Sequence, residues 1–153
     1  MYHKIRDSAL KYRFSSRVKQ TPWYIWDRFM NRRELIRRFV LRVISDDYEN
    51  VDQIILPDVA ADGARCGLTI ERSDVVDALA GLIEDGLAKA YLLSGTKPHV
   101  TELRGMPSIE VVEEYFRTYF YITTQGRDLH LSDDTWWPFD DEDNLRPGWQ
   151  FDP

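Results

Sequence analysis

The side chains able to do chemistry in this chain are few and scattered. His3, His99, His130 and the single Cys66 supply all of its imidazole and thiol groups. None of them stands at metal-ligand spacing with another ligand type. Cys66 has no base beside it in sequence, so a packed or loop thiol is the expectation, and the histidines are expected at the surface. One cysteine makes no internal disulfide, which fits a reducing compartment. Carboxylates run together at Asp133-Asp134 and from Asp140 to Asp143. They lack the loop glycine and the fixed oxygen spacing of a calcium site and read as solvated. There is no glycine-rich phosphate loop and no Gly-x-Ser-x-Gly elbow. The expectation is a chain that is not an enzyme, with no cofactor, no metal and no identifiable small-molecule ligand.

Charge is the stronger signal. The 153 residues carry a net −6, 43% hydrophobic and 13% aromatic residues. That is enough apolar material for the core of one domain, and no apolar run is long enough to span a bilayer. The first residues lack the apolar stretch of a secretory signal, and a cytoplasmic protein is expected. Residues 1–42 hold 12 Lys/Arg against 3 Asp/Glu, while residues 43–153 hold 8 against 23. Such a split points to a polyanionic partner for the basic part, or to attraction between the two parts; two solvated faces of one body remain the plainer alternative.

The elements that must position these groups follow from periodicity. Residues 1–30 form a basic aromatic arm, partly extended, with a helix start at Thr21-Pro22. Asn31-Arg32-Arg33-Glu34 is a capping-box variant that opens a helix to about Ser45. Leu35, Ile36, Phe39, Val40, Val43 and Ile44 make its apolar face; Arg32, Arg33, Arg37, Arg38 and Arg42 make its wet side. Val51 to Ala61 is a shorter element, either a helix kinked at Pro57 or a strand followed by a helix from Pro57. Residues 62–67 read as a loop.

The clearest helix runs from about Glu71 to Asp85, with Val75, Val76, Leu79, Leu82 and Ile83 as its buried stripe. Gly86 stops it in the left-handed conformation. Residues 88–93 follow as a strand, turned by residues 94–98. Ser108 caps a short helix through Tyr115. Thr118–Thr123 is a strand expected to pair with 88–93. A last short turn or helix reaches Leu131, and 132–153 is an acidic aromatic tail.

This order resembles a winged helix-turn-helix domain over residues 31–131. One match is Val76-x-x-Leu79-x-x-Leu82-x-x-x-Gly86-Leu87 leading into a strand. It is similar to the third, "recognition" helix and its entry into the wing. The other is Tyr121-Ile122-Thr123-x-x-Gly126-Arg127. It resembles the junction of second wing strand and next helix in MarR- and PadR-like regulators. The implied fold is mainly α with a small β-hairpin. The segment at 94–117 is long for a wing, and both the arm and the tail depart from the family.

The resemblance implies a winged-helix transcriptional regulator, dimeric through residues 1–30 or through Pro22 to Met30, that binds duplex DNA. Its recognition helix carries Glu71, Asp74, Asp77, Glu84 and Asp85 against Arg72 alone. An acidic surface is a poor phosphate anchor. DNA contacts are therefore expected from Lys4, Arg6, Lys11, Arg13, Arg17 and Lys19 on the arm. Arg72 and Ser73 on the helix, and Lys97 and Arg104 with Arg65 from wing and loop, would add to them. The alternative is a winged-helix module for protein interaction or assembly that does not bind DNA, its arm covering the acidic body or tail of the same chain or of a twofold mate.

Overall fold

A computed structural model describes residues 30–94, 99–133 and 135–150. Lys4, Arg6, Lys11, Arg13, Arg17, Lys19, Lys97 and the helix start at Thr21-Pro22 lie outside these. Among the described residues, helices dominate and a small three-stranded antiparallel sheet completes the fold.

Helix α1 (Arg32–Val43) starts where Asn31 Oδ1 accepts the Glu34 N–H at 2.8 Å. Glu34 makes no return bond to the cap. Its carboxylate lies along the helix instead, 3.4 Å from Arg38. The helix ends before Ser45, whose hydroxyl donates to the Arg42 carbonyl. Leu35, Ile36, Phe39, Val40 and Ile44 are buried as expected. So is Arg38, which periodicity placed on the wet side. Its apolar stem is covered and its guanidinium stays near Glu34 and the Leu129 carbonyl.

Asn50 starts the next element by accepting from the N–H groups of Asp52 and Gln53. Residues Val51–Ile55 form one wide π-helical turn, in which Ile55 donates to the Asn50 carbonyl five residues back. Pro57 then falls in the first turn of α2 (Leu56–Arg65), where a missing N–H costs little. There is no strand here. The helix also runs through the expected loop at 62–65, because Asp62 turns inward and is held by Arg42 at 3.1 Å and Arg65 at 3.4 Å.

Helix α3 (Arg72–Glu84) keeps its predicted bounds within a residue and buries Val75, Ala78, Leu79 and Leu82. Gly86 takes φ +74°, and Leu87 N donates to the Leu82 carbonyl at 2.8 Å, closing the helix end. The chain passes straight into β1 (Ala88–Ser94). This strand is central, between β2 (His99–Glu102) and β3 (Thr118–Ile122), in the order β2-β1-β3. The pairing of 88–92 with 118–122 was expected; β2 was not. Glu49 bridges to Phe120 and covers part of the outer edge of β3.

The expected helix at 108–115 does not form. Arg72 takes the Ile109 and Val111 carbonyls at 2.5 and 3.1 Å, and the Glu113 carboxylate takes the N–H groups of Arg117 and Thr118. With those partners claimed, the segment runs irregularly and carries Phe116 at φ +48°.

Helix α4 (Thr124–Ser132) is capped by Thr123, whose hydroxyl accepts from Gly126 N. A Cβ at Gly126 would lie 2.1 Å from the Leu87 carbonyl oxygen, so only glycine lets α4 close on the end of α3. The acidic aromatic stretch then joins the body. Trp136, Phe139 and Trp149 are buried in the same core as α1. Trp136 and Trp137 meet Phe39 edge-on, and the Arg65 guanidinium lies 3.8 Å over the Phe139 ring. No described helix is long and apolar enough to cross a membrane.

Candidate functional site

The outward flank of α3 is the surface the sequence singled out. Its first turn is built by Asp74, which reaches back to the Glu71 N–H at 2.8 Å. Asp74 is also gripped from α1. Arg32 donates to both of its oxygens, at 2.9 and 2.8 Å, and to the Thr69 carbonyl at 2.9 Å. The Arg32 hydrogen bonds hold the Asp74 carboxyl below its ordinary value. At the other end, Arg37 of α1 meets Asp85 at 2.5 Å.

Arg72, expected to face a phosphate, turns inward. Its Nε and Nη2 fork onto Asp52 at 2.6 and 3.1 Å, and the remaining donors go to the 109–111 backbone. These bonds push the Asp52 carboxyl down and the guanidinium up. A phosphate contact would have to break this fork. Ser73 is exposed on the first turn of α3, and Arg104 is exposed beyond β2 with no ion pair among the described residues. Arg65 is drawn to Asp62 and Asp143. The structure therefore does not gather Arg72, Ser73 and Arg104 into one basic surface.

Sequence reading missed the arginines of α1 that pack alongside. Arg32, Arg33 and Arg37 share the α1/α3 seam with Glu34, Glu71, Asp74, Asp77, Glu84 and Asp85. Three cations face six carboxylates. Between the helices runs a groove of about 550 Å³, floored by Ile36, Ala80 and Gly81 and rimmed by Arg33, Asp77 and Glu84. Asp77 and Glu84 are exposed and carry no ion pair among the described residues. Across the described residues, twelve Lys/Arg meet 22 Asp/Glu, so the groove lies in a negative field.

A second surface went unforeseen. The outer face of the sheet presents Tyr91 opposite Tyr119 and Lys89 opposite Tyr121. Tyr48 stacks on Tyr121 with centroids 4.7 Å apart and meets Tyr91 edge-on at 4.9 Å. A shallow hollow of about 240 Å³ opens among Tyr48, Leu93, Val100 and Tyr119. Tyrosines two apart on β3 were the available signal, since alternation places them on one face.

Among the described residues, no three His, Cys, Asp or Glu side chains are grouped to hold a metal. Cys66 is buried and its thiol is pushed up to about 11 by that burial. Burial, with Arg38 and Arg42 nearby, lowers His130.

No family model, no curated protein and no solved structure matches this chain.

Proposed function

We propose that the chain is a non-catalytic module of winged-helix type whose α3 face recognises protein rather than duplex DNA. The order of elements supports the winged-helix reading: α1, a bridge at Glu49, α2, α3, then strands entered through Gly86. The observation that carries the function is the ionic state of the α3 flank. Arg32, Arg37 and Arg72 are each committed to a carboxylate of the same molecule, while Asp77 and Glu84 are left facing out. Duplex phosphates meeting that flank would find negative charge and few free donors. A protein segment carrying Lys or Arg finds complementary charge over a small-residue floor.

One observation favours a second reading, in which DNA is gripped by the arm alone. Residues 1–29 carry seven Lys/Arg against two Asp/Glu.

Titrating the full chain with generic duplex DNA at low and moderate salt separates the two. The protein-recognition reading expects no saturable binding at low salt. Binding that falls steeply with salt, and disappears when Lys4, Arg6, Lys11, Arg13, Arg17 and Lys19 are replaced by Gln, overturns it in favour of the arm.

A further inference from the structure

We infer that the irregular segment between β2 and β3 is a knob that seats in the tyrosine-walled hollow on the sheet of a second copy of this chain. This contact is separate from the α3 face, and either can hold without the other.

Four observations point there. The first is exposure. Seven large apolar side chains stand exposed among the described residues, and five of them belong to these two features. Val111, Val112 and Tyr115 are 78%, 62% and 74% exposed on the knob, while Tyr48 and Val100 line the hollow. Apolar area gathered in this way marks a contact surface. The second is rigidity. Ile109 is buried at one end of the segment and Thr118 at the other. Between them Arg72 holds the Ile109 and Val111 carbonyls, and Asp52 accepts the Glu113 N–H at 3.2 Å. The Glu113 carboxylate in turn accepts from the Asn50 amide and from the N–H groups of Arg117 and Thr118. The side chains of 111, 112 and 115 take no part in this network. They are presented outward on a backbone already ordered, which lowers the entropy cost of contact.

The third observation is size. The hollow, about 240 Å³ among Tyr48, Leu93, Val100 and Tyr119, is smaller than the roughly 300–1,000 Å³ usual for small-molecule sites and suits a single inserted side chain. Tyr115 supplies one, with the rings of Tyr48 and Tyr119 to pack against. The fourth is charge. Glu110 and Glu114 on the knob, and Arg117 one pleat before Tyr119, are exposed and carry no ion pair among the described residues. Asp46 and Asp47 precede Tyr48, whose ring lies toward Tyr121 at the opposite end of β3. Opposite charge at one end and like charge at the other set the direction in which the knob enters.

One molecule holds both halves of this contact. Tyr115 and Tyr119 are four residues apart, at most about 14 Å along the chain. A twofold axis beside Arg117 brings each knob to the other copy's hollow and each Glu114 to the other copy's Arg117, a closed and self-complementary contact.

Sedimentation velocity of the full chain over a concentration series tests this. The expected result is a concentration-dependent dimer. Tyr115→Asp on the knob and Val100→Asp in the hollow should each raise its dissociation constant about tenfold or more, as loss of a buried anchor does. Both positions are exposed in the single chain, and circular dichroism melting checks that the variants fold. Glu114→Arg and Arg117→Glu should each weaken the dimer, and the double variant should regain it, because a twofold contact pairs the swapped charges again. A merely destabilising substitution gives no such recovery. Three results overturn the inference: a monomer at the highest concentration, a dimer as tight in Tyr115→Asp and Val100→Asp as in the parent, or a charge-swapped double variant as weak as its two single variants.

Discussion

Along the α1/α3 seam, Arg32 and Arg37 are neutralised by Asp74 and Asp85, while Asp77 and Glu84 are exposed and carry no ion pair among the described residues. On the outer face of the sheet, Tyr48 is 42% and Val100 51% exposed, around rings that stack on one another. The first surface leaves charge unsatisfied, the second leaves apolar area wet. Charge acts over roughly a Debye length, ~8 Å at physiological salt, and is screened by added salt. Apolar area acts only on contact and is not weakened that way. Salt therefore distinguishes a partner of one surface from a partner of the other. The same contrast explains why the sequence directed attention to α3: a run of carboxylates is visible in one dimension, whereas a tyrosine face exists only once β1, β3 and residue 48 meet.

The largest effect is expected where the seam's chemistry turns inward. Replacing Arg72 with Ala leaves Asp52, whose side chain is 9% exposed, without its fork and strips donors from the Ile109 and Val111 carbonyls. A loss of about 3 kcal/mol is expected, because breaking one partner of a largely buried pair strands the other. Urea unfolding measures it. A loss under about 1 kcal/mol would return Arg72 to the pool of free surface cations and reopen the α3 flank to phosphate.

Tyr121→Ala probes the other surface. It removes the ring on which Tyr48 stacks and the hydroxyl that accepts from Arg127 Nη2 at 3.0 Å. A loss of about 1–2 kcal/mol is expected, from one aromatic pair and its hydrogen bond. The loss should be the same in 0.05 and 0.5 M NaCl. A strong salt dependence would mean that the face is held by charge, and the contrast with the seam would collapse.

Legibility divided along the same line between local and distant causes. The cap at Asn31, the stripe Val75-Leu79-Leu82 and the left-handed stop at Gly86 are local, and all were readable. The failures have partners far along the chain. Residues 108–115 read as a helix, but Arg72, 37 and 39 residues away, takes two of their carbonyls. Residues 132–153 read as a tail, but Trp136 and Trp137 pack on Phe39 of α1. β2 is four exposed residues whose only structural reason is the edge of β1. At the candidate site the acidity of α3 was plain. The arginines beside it were not, because no spacing within α1 says which of its faces meets α3.

The smallest expected effect belongs to the exposed part of the seam, the Arg32–Asp74 pair, with side chains 35% and 23% exposed. Asp74 also caps the Glu71 N–H, so a single truncation mixes two losses. A double-mutant cycle over Arg32→Ala and Asp74→Ala isolates the pair. It should return about 0.5 kcal/mol, falling toward zero in 0.5 M NaCl. The pair also has a signed dependence on pH. Because Asp74 is depressed in the fold, its contribution is complete above the unfolded carboxylate value, about 4, and drains as pH falls through the lower folded value. Asp62 runs the other way: burial raises it, so it opposes folding near neutrality and that opposition fades on acidification. Asp74→Asn should therefore flatten the loss of stability as pH falls below about 4, whereas Asp62→Asn should act above that value, removing the gain in stability that Asp62 brings as pH falls from neutrality toward about 4. A coupling that persists unchanged in high salt would mean that the groove wall is held by packing rather than by charge, and the α1/α3 seam would then resemble the tyrosine face more than it differs from it.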